Sequence, residues 1–216
     1  MHKTSRKRIF HYQIKCWDAD SFDFDSVPFV KQAYNEKKWA FVADYVRLYA
    51  LYTEGGIYLD SDVRTFKSFD SFLYNDFFIG TEPLPNNCVE LESAIMGAIK
   101  GHPYVKECLD YYRQINFRKE NGEIFATCPI IMTSIAEKYG YVAKDENQLL
   151  EANIQVYSRK YFGHLWGTNP GQLYAIHYFN ASWLESKHGW LYRYCKQNDF
   201  MRFYFISTKF LKKFKK

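Results

Sequence analysis

The sequence has few cysteines, and none of them has the spacing of a zinc site. It contains five cysteines in 216 residues, and no two are separated by the roughly two to four residues found between ligands in zinc fingers and zinc ribbons. An odd number of scattered cysteines is typical of reduced thiols in a cytosol. A small fold held together by zinc or disulfides is therefore not expected.

Long apolar segments and phosphate-binding loops are also absent from the sequence. No apolar run approaches the roughly 18 residues that a membrane span requires, and residues 1–8 are polar and basic with no apolar segment after them, which argues against a secretory signal. The motifs GxGxxG, GxxxxGK[ST] and GxSxG do not occur, so neither a dinucleotide fingerprint, a P-loop nor a hydrolase elbow is predicted. We expect a cytoplasmic protein.

Most of the chain carries no excess charge of either sign. The net charge is +5, and residues 199–216 contain six lysines or arginines against one aspartate, so residues 1–198 sum to zero. A neutral body argues against nucleic-acid binding. We predict one domain over residues 1–198 and a basic amphipathic tail over 199–216. Two interpretations of residues 200–216 stay open: peripheral contact with an anionic membrane, such as the inner face of the plasma membrane, or a last helix packed on the domain.

The hydrophobic pattern predicts alternating strands and helices, which favours an α/β fold with a mostly parallel sheet. Residues 39–54 have apolar side chains at helical spacing, and a Gly-Gly pair ends that helix. The apolar strand that follows, residues 57–59, leads into Asp60-Ser61-Asp62. Further strands are predicted at 10–17, 77–80, 155–157 and 174–178, and further helices at 29–34, 89–100, 104–116 and 130–139.

Three candidate metal ligands stand at predicted strand ends. Asp60 and Asp62 are two residues apart at the carboxyl end of a strand, where open α/β sheets bind ligands. Carboxylates bind hard divalent cations, which often complete their coordination with substrate phosphates. His177 follows another strand and is either a hydrogen-bonded core residue or a third ligand for a cation such as Mn²⁺. Aspartates at a strand end are also common turn residues, so the pattern alone leaves both interpretations open.

Asp44 and Arg47 are three residues apart on the predicted helix 39–54. They form either a surface ion pair of small energetic value or a buried pair that faces the same opening as Asp60, because the helix leads directly into that strand. The sequence does not distinguish the two interpretations.

Residues 44–63, DYVRLYALYTEGGIYLDSDV, resemble the signature of glycosyltransferase family 32. This group of Asp-x-Asp (DXD) sugar transferases includes capsular and surface-polysaccharide enzymes. Weaker similarity extends to the segments CWDADSFD, ATCPIIMT and IHYFNASW. The resemblance implies a Rossmann-like fold of the GT-A type and metal-dependent, retaining transfer of a hexose from a nucleotide sugar, with UDP the expected base, to a glycan or lipid-linked glycan.

The resemblance also implies roles for individual residues. The metal would be Mn²⁺ or Mg²⁺, held by Asp60, Asp62 and His177, with Asp60 also contacting the ribose. Asp44 and Arg47 would bind the donor sugar. The remaining substrate contacts implied by the resemblance are Gly56, Tyr58, Ser182 and Trp183, the last two with the diphosphate.

Two departures from the family pattern leave alternatives open. The first strand of the family has no counterpart in this sequence, which suggests an inactive, membrane-associated partner of a longer transferase as a second hypothesis. Cys128 stands where the family often has glycine, at a position expected to face the acceptor. A haloacid-dehalogenase-like phosphotransferase is a third hypothesis, but such enzymes commonly have Thr or Val where this chain has Arg64.

Overall fold

A five-stranded mixed sheet forms the centre of the structure, which is a computed structural model that describes residues 11–18, 20–84, 88–162 and 171–178. In spatial order the strands are β1, β4, β3, β6 and β5. A separate two-stranded sheet pairs β2 with β7. The bounds are β1 Gly56–Leu59, β2 Val63–Thr65, β3 Phe77–Pro83, β4 Val89–Ala98, β5 Gln148–Leu150, β6 Ile154–Tyr157 and β7 Ala175–His177.

Within the described residues, five α-helices accompany these strands: α1 Pro28–Asn35, α2 Trp39–Glu54, α3 Pro103–Gln114, α4 Cys128–Glu137 and α5 Arg159–Phe162. Helices α1 to α4 contribute side chains to the larger of two buried clusters, together with Phe77 and Ile79 of β3. Phe78, between them in sequence, belongs to the smaller cluster with Phe162. Because side chains alternate along a strand, the two clusters lie on opposite faces of the sheet.

The prediction of an α/β fold is confirmed, but the prediction of a mostly parallel sheet is wrong. Among the described strands only β3 and β6 pair in parallel, whereas β1–β4, β3–β4, β5–β6 and β2–β7 are antiparallel. Short connections explain the difference, because a few residues between β3 and β4 allow a hairpin, while a parallel pair needs a long crossover.

Helix α2 has the bounds that its apolar stripe predicts. Tyr45 and Leu48 on that stripe are buried. The helix ends at Gly55, which has φ +73° and donates its N–H to the carbonyl of Leu51 at 2.9 Å. A Cβ at Gly55 would lie 2.8 Å from the backbone nitrogen of Lys100. Glycine is required there both by its backbone angle and by this close approach.

Two predicted elements differ from the structure. Residues 89–100, predicted as a helix, contain strand β4, which is buried on both faces; periodicity alone cannot distinguish such a strand from a buried helix. Residues 11–17 of the predicted strand 10–17 form no strand. Side-chain contacts, and not the backbone hydrogen bonds of a sheet, hold this segment in place. The Tyr12 hydroxyl donates to Asp70, and Trp17 packs edge-on against Tyr49.

Other predicted elements are confirmed, with small changes at their ends. The helices at 29–34, 104–116 and 130–139 correspond to α1, α3 and α4, and the strands at 57–59, 77–80, 155–157 and 174–178 correspond to β1, β3, β6 and β7. None of the helices in the described ranges combines the length and apolar character that crossing a bilayer requires. The predicted domain boundary after residue 198 and the tail 199–216 lie outside the described residues.

Candidate metal centre

The turn after β1 places two carboxylates at one end of the sheet. The N–H of Asp60 donates to the carbonyl of Ala94 on β4 at 2.9 Å, and the carbonyl of Asp60 accepts from the N–H of Val63 at 3.0 Å. The first bond extends the β1–β4 pairing to Asp60, and the second closes the turn into β2. Asp62 is fixed from the other sheet, because its carbonyl accepts from the N–H of Tyr178 at 3.1 Å.

Pairing of β2 with β7 brings His177 to these carboxylates. His177 lies opposite Val63 in the antiparallel register, next to Asp62. Its Nε2 is 3.1 Å from Oδ1 of Asp62 and 4.0 Å from Oδ2 of Asp60. One ligand atom from each of the three residues lies within 4.8 Å of the other two. Two carboxylate oxygens and one imidazole nitrogen at this separation fit a single Mn²⁺ or Mg²⁺ ion.

A third acidic side chain, Glu92 of β4, contacts the opposite edge of the His177 ring, at Nδ1. Oε2 of Glu92 is 3.2 Å from Nδ1 of His177, and Oε1 accepts the N–H of Ala94 at 2.8 Å. Burial lowers the pKa of His177, but hydrogen bonds and charges from Asp62 and Glu92 outweigh burial and raise it to about 10. The sequence analysis missed Glu92 because it treated this stretch as a helix; an acidic residue inside an apolar run was the available signal.

Arg47 connects helix α2 to the candidate metal ligands. Its side chain is 6% exposed, and Nη2 lies 3.1 Å from Oδ1 of Asp44 and 3.4 Å from Oδ1 of Asp60. Nη1 donates to the carbonyl of Ser93 at 2.9 Å and to its hydroxyl at 3.2 Å, while Nε donates to the carbonyl of Ala43. Every nitrogen of the guanidinium thus has a partner within the protein. The structure selects the buried interpretation of the Asp44–Arg47 pair.

Asp44 is another buried carboxylate of the group. Its Oδ2 accepts the N–H of Cys128 at 3.3 Å, at the first residue of α4. Burial is the main cause that raises the pKa of Asp44 to about 6; Asp60 adds to this rise, and the positive charge of Arg47 opposes it. The carboxyl therefore retains a proton at a higher pH than an exposed aspartate does.

A bulge in β4 creates the contacts to Arg47 and Glu92. Ile79 of β3 pairs with Met96, and the next residue, Gly80, pairs with Glu92. Residues 93–95 therefore have no partner on β3, so the carbonyl of Ser93 is available to Arg47 and the N–H of Ala94 to Glu92. Bulges of this kind re-aim side chains and backbone groups next to functional sites.

Tyr58 belongs to the same cluster, whereas Gly56 does not. The hydroxyl of Tyr58 donates to Oδ1 of Asp60, and its ring lies 4.9 Å from Cζ of Arg47. Burial raises the pKa of Tyr58 well above its usual value, so this hydroxyl remains a donor. Gly56 starts β1 opposite Ala98, at the end of the strand away from Asp60. The predicted diphosphate contacts Ser182 and Trp183 lie outside the described residues.

Cys128 was expected to face the acceptor but is completely buried. Its N–H donates to Asp44, and burial raises the pKa of its thiol to about 12. A thiol with such a pKa is not a nucleophile at neutral pH. Cys128 therefore acts here as a small core residue that supports Asp44.

Comparison with known proteins finds a family match for the segment that contains both aspartates. Residues 3–79, which hold Asp44, Arg47, Asp60 and Asp62, match the family model described as "Glycosyltransferase sugar-binding region containing DXD motif". No curated protein matches the chain. One solved structure, "PaToxG Glycosyltransferase", aligns with a TM-score of 0.39 and 22% identity over 56% of this chain and 44% of its own; this chain thus spans less than half of that protein. The segment of the chain that supplies both aspartates of the candidate metal centre is thus similar to the sugar-binding region of DXD glycosyltransferases.

Proposed function

We propose that this protein is a metal-dependent glycosyltransferase that moves a hexose from a nucleotide sugar to a glycan or lipid-linked glycan. The observation that carries the proposal is the convergence of Asp60, Asp62 and His177 within 4.8 Å. The match of residues 3–79 to the DXD sugar-binding region supports the assignment to sugar transfer. Two aspartates and a histidine are found at the metal sites of many enzymes, so the sequence match is needed to assign this site to sugar transfer.

The residues that would hold the cation are Asp60, Asp62 and His177, and Mn²⁺ suits their mixed oxygen and nitrogen donors. A divalent cation bound there would stabilise the negative charge that develops on a diphosphate leaving group. Tyr58 and Arg47 hold Asp60 through hydrogen bonds and charge, so this carboxylate is oriented before any ligand binds. Such orientation reduces the reorganisation that catalysis would otherwise require.

We assign Arg47 to a positioning role and Asp44 to the donor-sugar side. Arg47 uses its nitrogens within the protein, so its contribution is to fix the carboxylates of Asp44 and Asp60. The donor-sugar role of Asp44 follows from the resemblance to family 32, since both of its carboxylate oxygens contact groups of the protein, Arg47 and the N–H of Cys128. We therefore expect Arg47→Lys to lower kcat more than the affinity for UDP, since lysine keeps the charge but lacks the planar fork that reaches both aspartates. An equal loss of UDP affinity would contradict this assignment.

The finer features of the proposal follow from the resemblance to family 32. They are a UDP-hexose donor, transfer with retention of configuration, a role in capsule or other surface-polysaccharide synthesis, and a cytoplasmic enzyme whose residues 200–216 contact the inner face of the plasma membrane. No nucleic-acid partner is proposed, because the excess of positive over negative charge is confined to residues 199–216.

Thermal unfolding with a panel of UDP and GDP sugars tests the proposal. A ligand that binds the native state raises Tm, so we expect a shift with one nucleotide class in the presence of Mn²⁺ and little shift without it. Asp62→Asn should abolish the Mn²⁺-dependent shift while the variant remains folded. Asp20→Asn, which changes an exposed loop aspartate, is the matched control and should behave as wild type.

Either of two results would overturn the proposal. A Tm that no nucleotide sugar changes, with or without Mn²⁺, would argue against donor binding. Normal sugar transfer by Asp62→Asn, measured as release of the nucleoside diphosphate, would show that the metal site is assigned to the wrong residues.

A further inference from the structure

We propose that Glu92 is a positioning residue that presents Nε2 of His177 to the cation; this inference rests on the proposed metal binding. Glu92 is 5% exposed and contacts two groups at once. One carboxylate oxygen faces Nδ1 of His177 at 3.2 Å, and the other accepts the N–H of Ala94 at 2.8 Å. A carboxylate has no donor of its own, so a proton shared with His177 belongs to Nδ1.

Fixing the proton on Nδ1 determines which nitrogen can bind a metal. With Nδ1 acting as the donor to Glu92, Nε2 is the nitrogen that a cation would bind, in place of the proton that Nε2 shares with Asp62. Nε2 is also the nitrogen that faces Asp62 and Asp60. The ring orientation and the protonation pattern set by Glu92 therefore both match the metal side of the cluster. A carboxylate behind a metal-binding histidine commonly orients the ring and increases its basicity.

The backbone of β4 makes this position rigid. Ala94 gives its N–H to Glu92, and its carbonyl accepts the N–H of Asp60 at 2.9 Å. Ala94 therefore hydrogen-bonds both to Glu92, which contacts His177, and to the main chain of Asp60. Because both contacts arise within the bulge, Glu92 couples the geometry of His177 to that of Asp60.

Glu92→Gln tests the inference with almost no change in shape. The glutamine has one acceptor oxygen and one donor NH₂ group, but Ala94 and His177 both present donors. If the NH₂ group faces Ala94, two donors meet; if it faces Nδ1, it favours the imidazole tautomer with the proton on Nε2, the nitrogen that would bind the cation. We therefore expect Mn²⁺ affinity, measured by the electron paramagnetic resonance signal of free Mn²⁺ at pH 7, to fall about 10- to 100-fold.

Two further variants separate hydrogen bonding from charge. Glu92→Asp keeps the negative charge but is one carbon shorter, so it cannot bridge both groups and should also weaken Mn²⁺ binding. Glu120→Gln, the same substitution at an exposed glutamate, is the matched control and should bind Mn²⁺ as wild type does.

A double-mutant cycle with His177→Gln completes the test. If Glu92 acts through His177, Glu92→Gln should change Mn²⁺ affinity little once His177 is absent. Wild-type affinity in Glu92→Gln or Glu92→Asp would overturn the inference, as would an undiminished effect of Glu92→Gln in the His177→Gln background. Failure of the wild-type protein to bind Mn²⁺ would instead overturn the proposed metal site. Circular dichroism spectra of the metal-free variants that match that of wild type show that the fold is retained.

Discussion

Two Asp–Arg pairs in this protein have the same spacing on a helix and opposite surroundings. Asp44 and Arg47 on α2 have side chains 12% and 6% exposed, whereas Asp110 and Arg113 on α3 are 34% and 51% exposed. Burial raises the pKa of Asp44, while a hydrogen bond from Lys106 lowers the pKa of Asp110. The i,i+3 spacing of an aspartate and an arginine therefore does not show whether the pair is buried or exposed. The packing of other elements on that face of the helix determines this.

The largest difference between the two pairs should appear when the arginine is removed. Arg47→Ala leaves Asp44 and Asp60 near each other in a buried site without their shared cation, and the loss of one partner of a buried pair costs about 3–5 kcal/mol of unfolding free energy. Arg113→Ala should cost about 1 kcal/mol or less, as for exposed pairs. Urea unfolding of both variants measures this difference, and equal losses would contradict the contrast.

The pH dependence of stability should have opposite signs for the two aspartates. The pKa of Asp44 rises from 3.8 to about 6 on folding, so the native state binds more protons between these values and stability falls as pH rises through them. Relative to wild type, Asp44→Asn should therefore gain up to about 3 kcal/mol from pH 4 to pH 7. The pKa of Asp110 is lowered on folding, so its contribution is present above about pH 4 and is lost below it.

Unfolding titrations of wild type, Asp44→Asn and Asp110→Asn across this pH range supply the measurement. A stability difference between wild type and Asp44→Asn that does not change with pH would show that Asp44 ionises normally in the folded protein. If the stability difference from wild type changed with pH in the same direction for both variants, the distinction between the buried and the exposed pair would be wrong.

The smallest effect is expected for Asp110→Asn at pH 7. This substitution removes the partner of both Lys106 and Arg113, yet ion pairs on an exposed helix face contribute less than about 1 kcal/mol. Increasing the salt concentration should reduce even this difference, because salt screens exposed charges. A loss as large as that of Arg47→Ala would mean that α3 depends on its surface charges far more than their exposure indicates.

Local patterns predicted the parts of the site that are continuous in sequence. The apolar stripe and the Gly-Gly stop give helix α2, and the short run before Asp60 gives β1. Helix α2 carries Asp44 and Arg47, and β1 leads directly into Asp60 and Asp62, but contacts with distant residues such as Ser93, Ala94 and Tyr178 complete their placement. The convergence of His177 with the aspartates depends on β2–β7 pairing, which joins residues more than 100 positions apart. The sequence contains both strands but no local signal for their register.

The contribution of β4 could not be predicted for a different physical reason. A strand buried on both faces has no alternation of polar and apolar residues, so VELESAIMGA resembles a buried helix as much as a strand. The bulge at residues 93–95 depends on the register with β3, which is set by tertiary packing. An acidic residue inside an apolar run marked Glu92 as unusual, but the contacts of Glu92 with His177 and of Ser93 with Arg47 could be recognised only after the sheet was known.

The bulge in β4 has a consequence for how such a site can be transferred to another protein. Three consecutive residues serve three different groups: Glu92 supports His177, Ser93 accepts from Arg47, and Ala94 accepts from Asp60. On a regular strand, successive residues point to opposite faces and their backbone groups are used by the neighbouring strands. A design that grafts only the aspartates and the histidine onto a regular sheet would reproduce the ligands without the backbone that holds them, so the irregular strand has to be transplanted first.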